Sequence, residues 1–134
     1  MFSSNVFDYV NVLDKVADAS WTRNELIANN IANVDTPGYK RQDTNFVEEF
    51  KRALSREVYE DMDTKVARVN DNLDDLNARV YTDGTNVSYR VDGNNVDIDT
   101  ENVMLAKNQL LYQGVMNAIS QEFNNMQAAM RTSS

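Results

Sequence analysis

The sequence predicts a mainly α protein, with long N- and C-terminal helices pairing as an antiparallel coiled coil around a small irregular middle region that contains a short helix and a β-hairpin. Three observations carry that prediction. Near both ends, apolar residues recur at alternating spacings of four and three. Charge is concentrated between them: residues 35–96 hold twenty-two charged side chains, against six in 1–34 and six in 97–134. Pro-Gly and Asp-Gly turn signals fall only in that charged middle. Residues 1–34 and 97–134 thus read as one helical domain, interrupted by 35–96.

The N-terminal arm reads as a helix from about Val6 to Asn33. Phe2, Val6, Tyr9, Leu13 and Val16 keep a 4-3-4-3 spacing, which sets knobs into a facing helix. The seam weakens at Ser20 and Arg23 and resumes at Ile27 and Ile31. Pro37-Gly38 ends it, since Thr36 before a proline avoids helical backbone and Pro-Gly fits the centre of a type II turn. Beyond it, Phe46, Val47, Phe50, Leu54 and Val58 suggest a short amphipathic helix. Residues 59–80 are ambiguous: Tyr59, Met62, Val66, Val69, Leu73, Leu76 and Val80 have heptad spacing, but β-branched residues and Asn70-Asp71-Asn72 oppose a helix. Asp83-Gly84 then predicts a hairpin with Val80 opposite Val87, and Asp92-Gly93 a second turn.

The C-terminal arm shows the longest pattern. Leu105, Gln109, Tyr112, Met116, Ile119, Phe123, Met126 and Met130 run unbroken at 4-3-4-3-4-3-4, beside a second stripe of Met104, Leu111, Val115 and Ala118. Asp99 is the expected N-cap, with Ile98 and Val103 as its hydrophobic staple. One stripe serves one partner helix, and two adjacent stripes predict burial on more than one side. Methionine suits packing against differing neighbours. Both arms are also rich in amides, which bury against protein at lower desolvation cost than charges. The terminal helices are therefore expected to be assembly surfaces.

Composition narrows the chemistry. Across 134 residues there is no cysteine and no histidine, which removes disulfides, thiolate metal sites and the usual proton shuttle. A net charge of −8 opposes binding to phosphate backbones and anionic lipid, so neither nucleic acid nor direct membrane insertion is expected. No stretch approaches the roughly 18 apolar residues of a membrane span, and no signal-peptide pattern opens the chain. Asp92, Asp97, Asp99 and Glu101 invite a calcium reading. Counted from Asp92, however, an EF-hand loop would put Asp97 at its glycine and Val103 at its bidentate glutamate, so helix capping explains these acids better. Asp61 with Asp63, and Asp74 with Asp75, lie in a polar stretch without an apolar pocket to raise a pKa, which favours a solvated face over acid–base work. Catalysis, metals and cofactors are not expected.

The run Ala28-Asn29-Asn30-Ile31-Ala32-Asn33-Val34-Asp35-Thr36-Pro37-Gly38-Tyr39-Lys40 resembles the N-terminal signature of bacterial flagellar rod and hook proteins. Arg90-Val91-Asp92-Gly93-Asn94-Asn95-Val96-Asp97 resembles the segment typical of B-type proximal rod proteins, and Asp43 with Phe46 follows the first motif as in that subfamily. The likeness covers roughly residues 5–54 and 88–130 and departs in 55–87. It implies a rod subunit of the flagellar basal body, sent through the flagellar type III export apparatus without a cleaved signal and stacked helically outside the inner membrane. Implied partners are other rod proteins, the rod–ring adaptor, the export gate and further copies of the chain. Two rival readings stand beside it: a non-polymerising adaptor or cap of a type III secretion apparatus, and a metal-dependent hydrolase using the acidic middle.

Overall fold

The computed structural model describes residues 2–84 and 90–132. Helix α1, Phe2–Ala32, runs the length of the molecule, and α4, Ile98–Thr132, returns along it. Between them come strand β1 (Gln42–Thr44), helices α2 (Phe46–Leu54) and α3 (Met62–Asp71), a single 3-10 turn at Leu73–Asp75, and strand β2 (Val80–Thr82). The two long helices are antiparallel: the side chain of Asn30 bonds Glu101, Asn108 bonds Ser20, and the rings of Trp21 and Tyr112 meet at 6.2 Å. At 1.5 Å per residue, α4 spans about 52 Å. Among the described residues no helix is long and apolar enough to cross a membrane.

α1 stops where the sequence requires it. The Tyr39 amide donates to the Thr36 carbonyl at 3.2 Å, and Gly38 has φ +72°, so Thr36-Pro37-Gly38-Tyr39 is the predicted type II turn. α2 carries Glu48 and Glu49 in its first turn and Lys51 and Arg52 in its last, each complementing the helix dipole. The ambiguous stretch resolves into α3, opened by Asp61, whose carboxylate accepts from the Thr64 amide at 2.8 Å, and closed at Asn72. Val66 and Val69 outweigh their modest helix propensity because both are buried on α1.

One expectation lies outside the described residues, and another meets a different local structure. The expected pairing of Val80 with Val87 falls on residues 85–89, outside the described residues; Val80–Thr82 pairs antiparallel with Gln42–Thr44, with Asp43 opposite Tyr81. The N-cap of α4 is Asp97, not Asp99. Its carbonyl accepts the first helical bond, from the Glu101 amide, and its carboxylate accepts from the Asp99 and Thr100 amides. The Thr100 hydroxyl adds a further bond, and these contacts hold the Asp97 carboxyl below the usual range. With the cap two residues earlier, Ile98 and Val103 no longer face each other across it, and both are about half exposed.

The core lies around the middle of α1. Val12, Val16, Ala17 and Ala19 pack with Phe46, Val66, Val69, Leu76 and Val115. α2, α3 and the 3-10 turn thus cover one flank of the long helix pair. The other flank has no such cover among the described residues.

Candidate assembly surface

At one end of the helix pair, three segments of chain meet in a polar latch. Asn30 is fully buried and uses its whole amide: the Nδ2 group donates to the Gln42 carbonyl (2.8 Å) and Glu101 Oε2 (3.1 Å), while Oδ1 accepts from the Gln42 amide (2.9 Å) and the Tyr39 hydroxyl (3.1 Å). Asn94, also fully buried, donates to the carbonyls of Asn33 (2.8 Å), Val34 (3.0 Å) and Thr36 (2.9 Å), and accepts from the Val96 amide (2.8 Å). The end of α1 and the approach to α4 are thereby stapled together. Asn95 accepts from the Arg41 amide (2.7 Å) and donates to the Asp83 carbonyl (3.0 Å). The Gly38 amide donates to the Asp92 carbonyl at 2.8 Å. Gly38 and Gly93, both at positive φ, lie back to back, and a Cβ on Gly93 would sit 3.8 Å from the Cα of Gly38.

Beside these amides runs a charge chain. Arg23 donates to both oxygens of Asp43 (2.9 and 3.1 Å), and Arg41 spans Asp43 (3.1 Å), Asp83 (3.2 Å) and Glu101 (2.8 Å). Burial alone would lower the Arg41 guanidinium, but Glu101, Asp43 and Asp83 together raise it. Burial alone would likewise raise the Asp43 carboxyl; Arg23, the Thr44 amide and Arg41 outweigh it and hold Asp43 below the usual range. Burial, with the negative Glu101 nearby, pushes the Tyr39 phenol up. Other motif residues have packing or bonding tasks here: Asn33 bonds back to Asn29 and accepts from Thr36, Asp92 pairs with Arg90, Val96 is buried, and Asp97 caps α4.

Along the helix pair the expected assembly residues divide in two. Val16, Ile27 and Val115 are buried, and Val6, Tyr9, Leu13, Ile31, Leu105, Tyr112, Ile119 and Met126 are half-buried. Leu111, Met116, Phe123 and Met130 are exposed, by 38%, 41%, 51% and 62%. Met116, Phe123 and Met130 recur every seven residues on α4, so they form one row beside the seam. On the same flank, marked by the Trp21–Tyr112 contact, α1 exposes Trp21 (56%). Phe7, fourteen residues earlier on the same face of α1, is also about half exposed.

Sequence reasoning missed the buried centre of the seam. On α4 the expected Val115 is joined at spacings of seven by Glu101 and Asn108, which were not expected; on α1 the supposedly weak Ser20 accepts from Asn108, and Arg23 reaches Asp43 of β1. The heptad spacing of 101, 108 and 115 was the available signal, masked because two of the three are polar. Of the four acids that invite a calcium reading, Asp92 pairs with Arg90, Asp97 caps α4 and Glu101 pairs with Arg41, and among the described residues no three His, Cys, Asp or Glu side chains converge as a metal site.

The family model described as flagella basal body rod protein matches residues 22–40, the end of α1 and the turn that follows it. A relative from Bacillus subtilis named flagellar basal body rod protein FlgB is 33% identical over 97% of this chain and 95% of its own length. Its namesake from Escherichia coli K12 is 34% identical over 82% of this chain and 83% of its own, and that from Borrelia hermsii 33% over 95% and 99%. An alignment of that length and identity spans both long helices and the latch between them, and this chain belongs to the FlgB family of flagellar basal body rod proteins.

Proposed function

We propose that the chain is a structural subunit of the proximal rod of the flagellar basal body, polymerising helically through its terminal helices into a hollow shaft that transmits torque. Family membership supports a structural, non-enzymatic role within the basal body. The observation that carries the polymerisation step is the exposed row on α4. α1 already pairs along that helix, yet Met116 and Phe123 keep about half of their surface exposed. Burying such a side chain stabilises by about 1.5–3 kcal/mol, so a neighbouring helix over this row supplies several kcal/mol of association energy. Other rod proteins and copies of the same chain are the partners that such a row fits, and the rod–ring adaptor and export gate are the contacts of its route and base. Its place is the periplasmic part of the basal body, reached by the type III export route.

Phe123→Asp tests this reading. The purified variant keeps its helical circular dichroism, and cells carrying it as their sole copy lack rods in isolated basal bodies and do not swim. Normal basal bodies in those cells would remove the row from the interface.

A further inference from the structure

The covered flank of the helix pair holds an unfilled hollow. Val16, Phe46, Phe50, Leu54 and Leu111 line an apolar groove of about 200 Å³ between α1, α2 and α4. An apolar cavity of roughly 150 Å³ accommodates a benzene ring, so this one has room for a larger aromatic side chain. Two of its lining residues are unfinished. The Oδ1 of Asn108 and the hydroxyl of Thr44 are buried without a hydrogen-bond partner, in residues only 3% and 4% exposed. The Asn108 amide is oriented by its 2.7 Å bond to the Ser20 carbonyl, which leaves an acceptor unpaired at the groove. A buried acceptor in that state costs about 1–3 kcal/mol, recovered by an occupant that brings a donor.

The chain's single tryptophan has the matching chemistry. Trp21 is 56% exposed, and its indole nitrogen only donates. At 100° per residue, Trp21 lies about 140° around α1 from Val16 and about 160° from Ala19, which line the groove. It therefore cannot reach the groove of its own chain. Charge agrees with the pairing: exposed Asp14, Asp18 and Glu25 surround Trp21 on that face, whereas Lys51 stands at the groove and exposed Arg52 follows it on α2. A knob and a hole on opposite faces of one helix make a head-to-tail contact, the kind that propagates into a filament when its rotation does not close.

We infer that Trp21 of one copy seats in the α1–α2–α4 groove of the next, its indole N–H donating to Asn108 Oδ1 and its acidic surround facing Lys51. This rests on the rod-subunit reading and names the contact between successive copies. The cysteine-free sequence permits a clean test. In cells lacking the natural chain, a copy bearing Asp18→Cys is co-expressed with one bearing Lys51→Cys, and assembled basal bodies are oxidised. A disulfide dimer that needs both variants is expected, and adding Trp21→Ser to the Asp18→Cys copy lowers its yield by about tenfold or more. Restored swimming without the mixed dimer, or a yield unaffected by Trp21→Ser, overturns the docking and leaves the rod subunit standing. Swimming in cells with no copy of the chain overturns the rod reading, and the docking with it.

Discussion

The two ends of the helix pair are built on opposite terms. Where α1 ends and α4 begins, Asn30, Asn94, Arg41 and Glu101 bury their polar groups and satisfy them within the chain. Toward the other end, Phe123 and Met130 of α4 and Phe7 of α1 leave half or more of their surface in water. One end spends its bonding capacity inward; the other holds apolar surface in reserve. The difference separates two tasks that compete along most coiled coils. Register is set by polar pairs that tolerate no slippage, since moving α4 by one turn would strand Glu101 and Asn108 without partners. With register fixed there, the far end can remain incomplete without the pair sliding or reversing.

The largest effect is expected from breaking the latch at its charge. Arg41→Met removes the partner of Glu101, which is 1% exposed, and unbalances Asp43 and Asp83 together. Leaving a buried charge unpaired costs about 3–5 kcal/mol, a large share of the stability of a domain this size. The urea midpoint of the purified variant should fall accordingly. A loss below about 1 kcal/mol would show that water replaces Arg41 and that the latch is softer than its geometry. Gly38→Val comes next, at about 1–3 kcal/mol, because a β-branched residue must adopt φ +72° while the amide stays on Asp92. Equal stability of that variant would mean that the turn can rebuild itself.

How much of this contrast is legible in the sequence follows from what each end is made of. The far end is apolar and periodic, so both helices and their pairing appear from spacing alone, but the row left exposed, Met116, Phe123 and Met130, comes from the first stripe and not from the second, where Val115 is buried. The latch is nearly invisible to that approach. Asn94 looks like turn chemistry, yet its amide reaches three carbonyls about sixty residues earlier in the chain. Glu101 looks like a first-turn acid beside a dipole, yet it is an internal counter-ion reached by Arg41 from a loop sixty residues away. The pairing of Val80–Thr82 with Gln42–Thr44, almost forty residues earlier, is signalled by no turn motif between them. Periodicity registers contacts within an element; bonds that close over such separations leave no local trace. The Asn30 and Asn94 motifs were readable only as family resemblance, and their bonds supply the physical reason for those residues.

Acid should weaken the latch before the far end. The Asp43 carboxyl is held below its ordinary value of 3.8 by Arg23, the Thr44 amide and Arg41 against the cost of burial. The folded chain therefore binds that proton less readily than the unfolded chain does. Its contribution to stability is complete above pH 3.8 and is lost as pH falls through the lowered folded value. Amide exchange followed from pH 5 down to pH 2 should show protection at Gln42 and Thr44 fading sooner than at Val12 and Val16. Asp43→Asn should flatten that dependence while lowering stability at neutral pH. A variant whose urea midpoint kept the original pH dependence would assign it to another carboxylate.

The smallest change in folding should accompany the sharpest test of the far end. Met116 is 41% exposed and lies outside the central core cluster of α1, α2 and α3. Met116→Asp should therefore change the unfolding free energy by no more than about 0.5 kcal/mol, as most surface substitutions do. In a rod the same aspartate would lie against a neighbouring helix without a counter-ion, and incorporation should fail. Arg41→Met and Met116→Asp thus form a crossed pair: one lowers stability and reaches assembly through folding, the other leaves folding alone and blocks assembly directly. If Met116→Asp unfolded the monomer, the row on α4 would belong to the chain's own core. If it folded and assembled normally, the surface held in reserve would lie elsewhere, and Trp21 with Phe7 would be the remaining apolar ground on that flank.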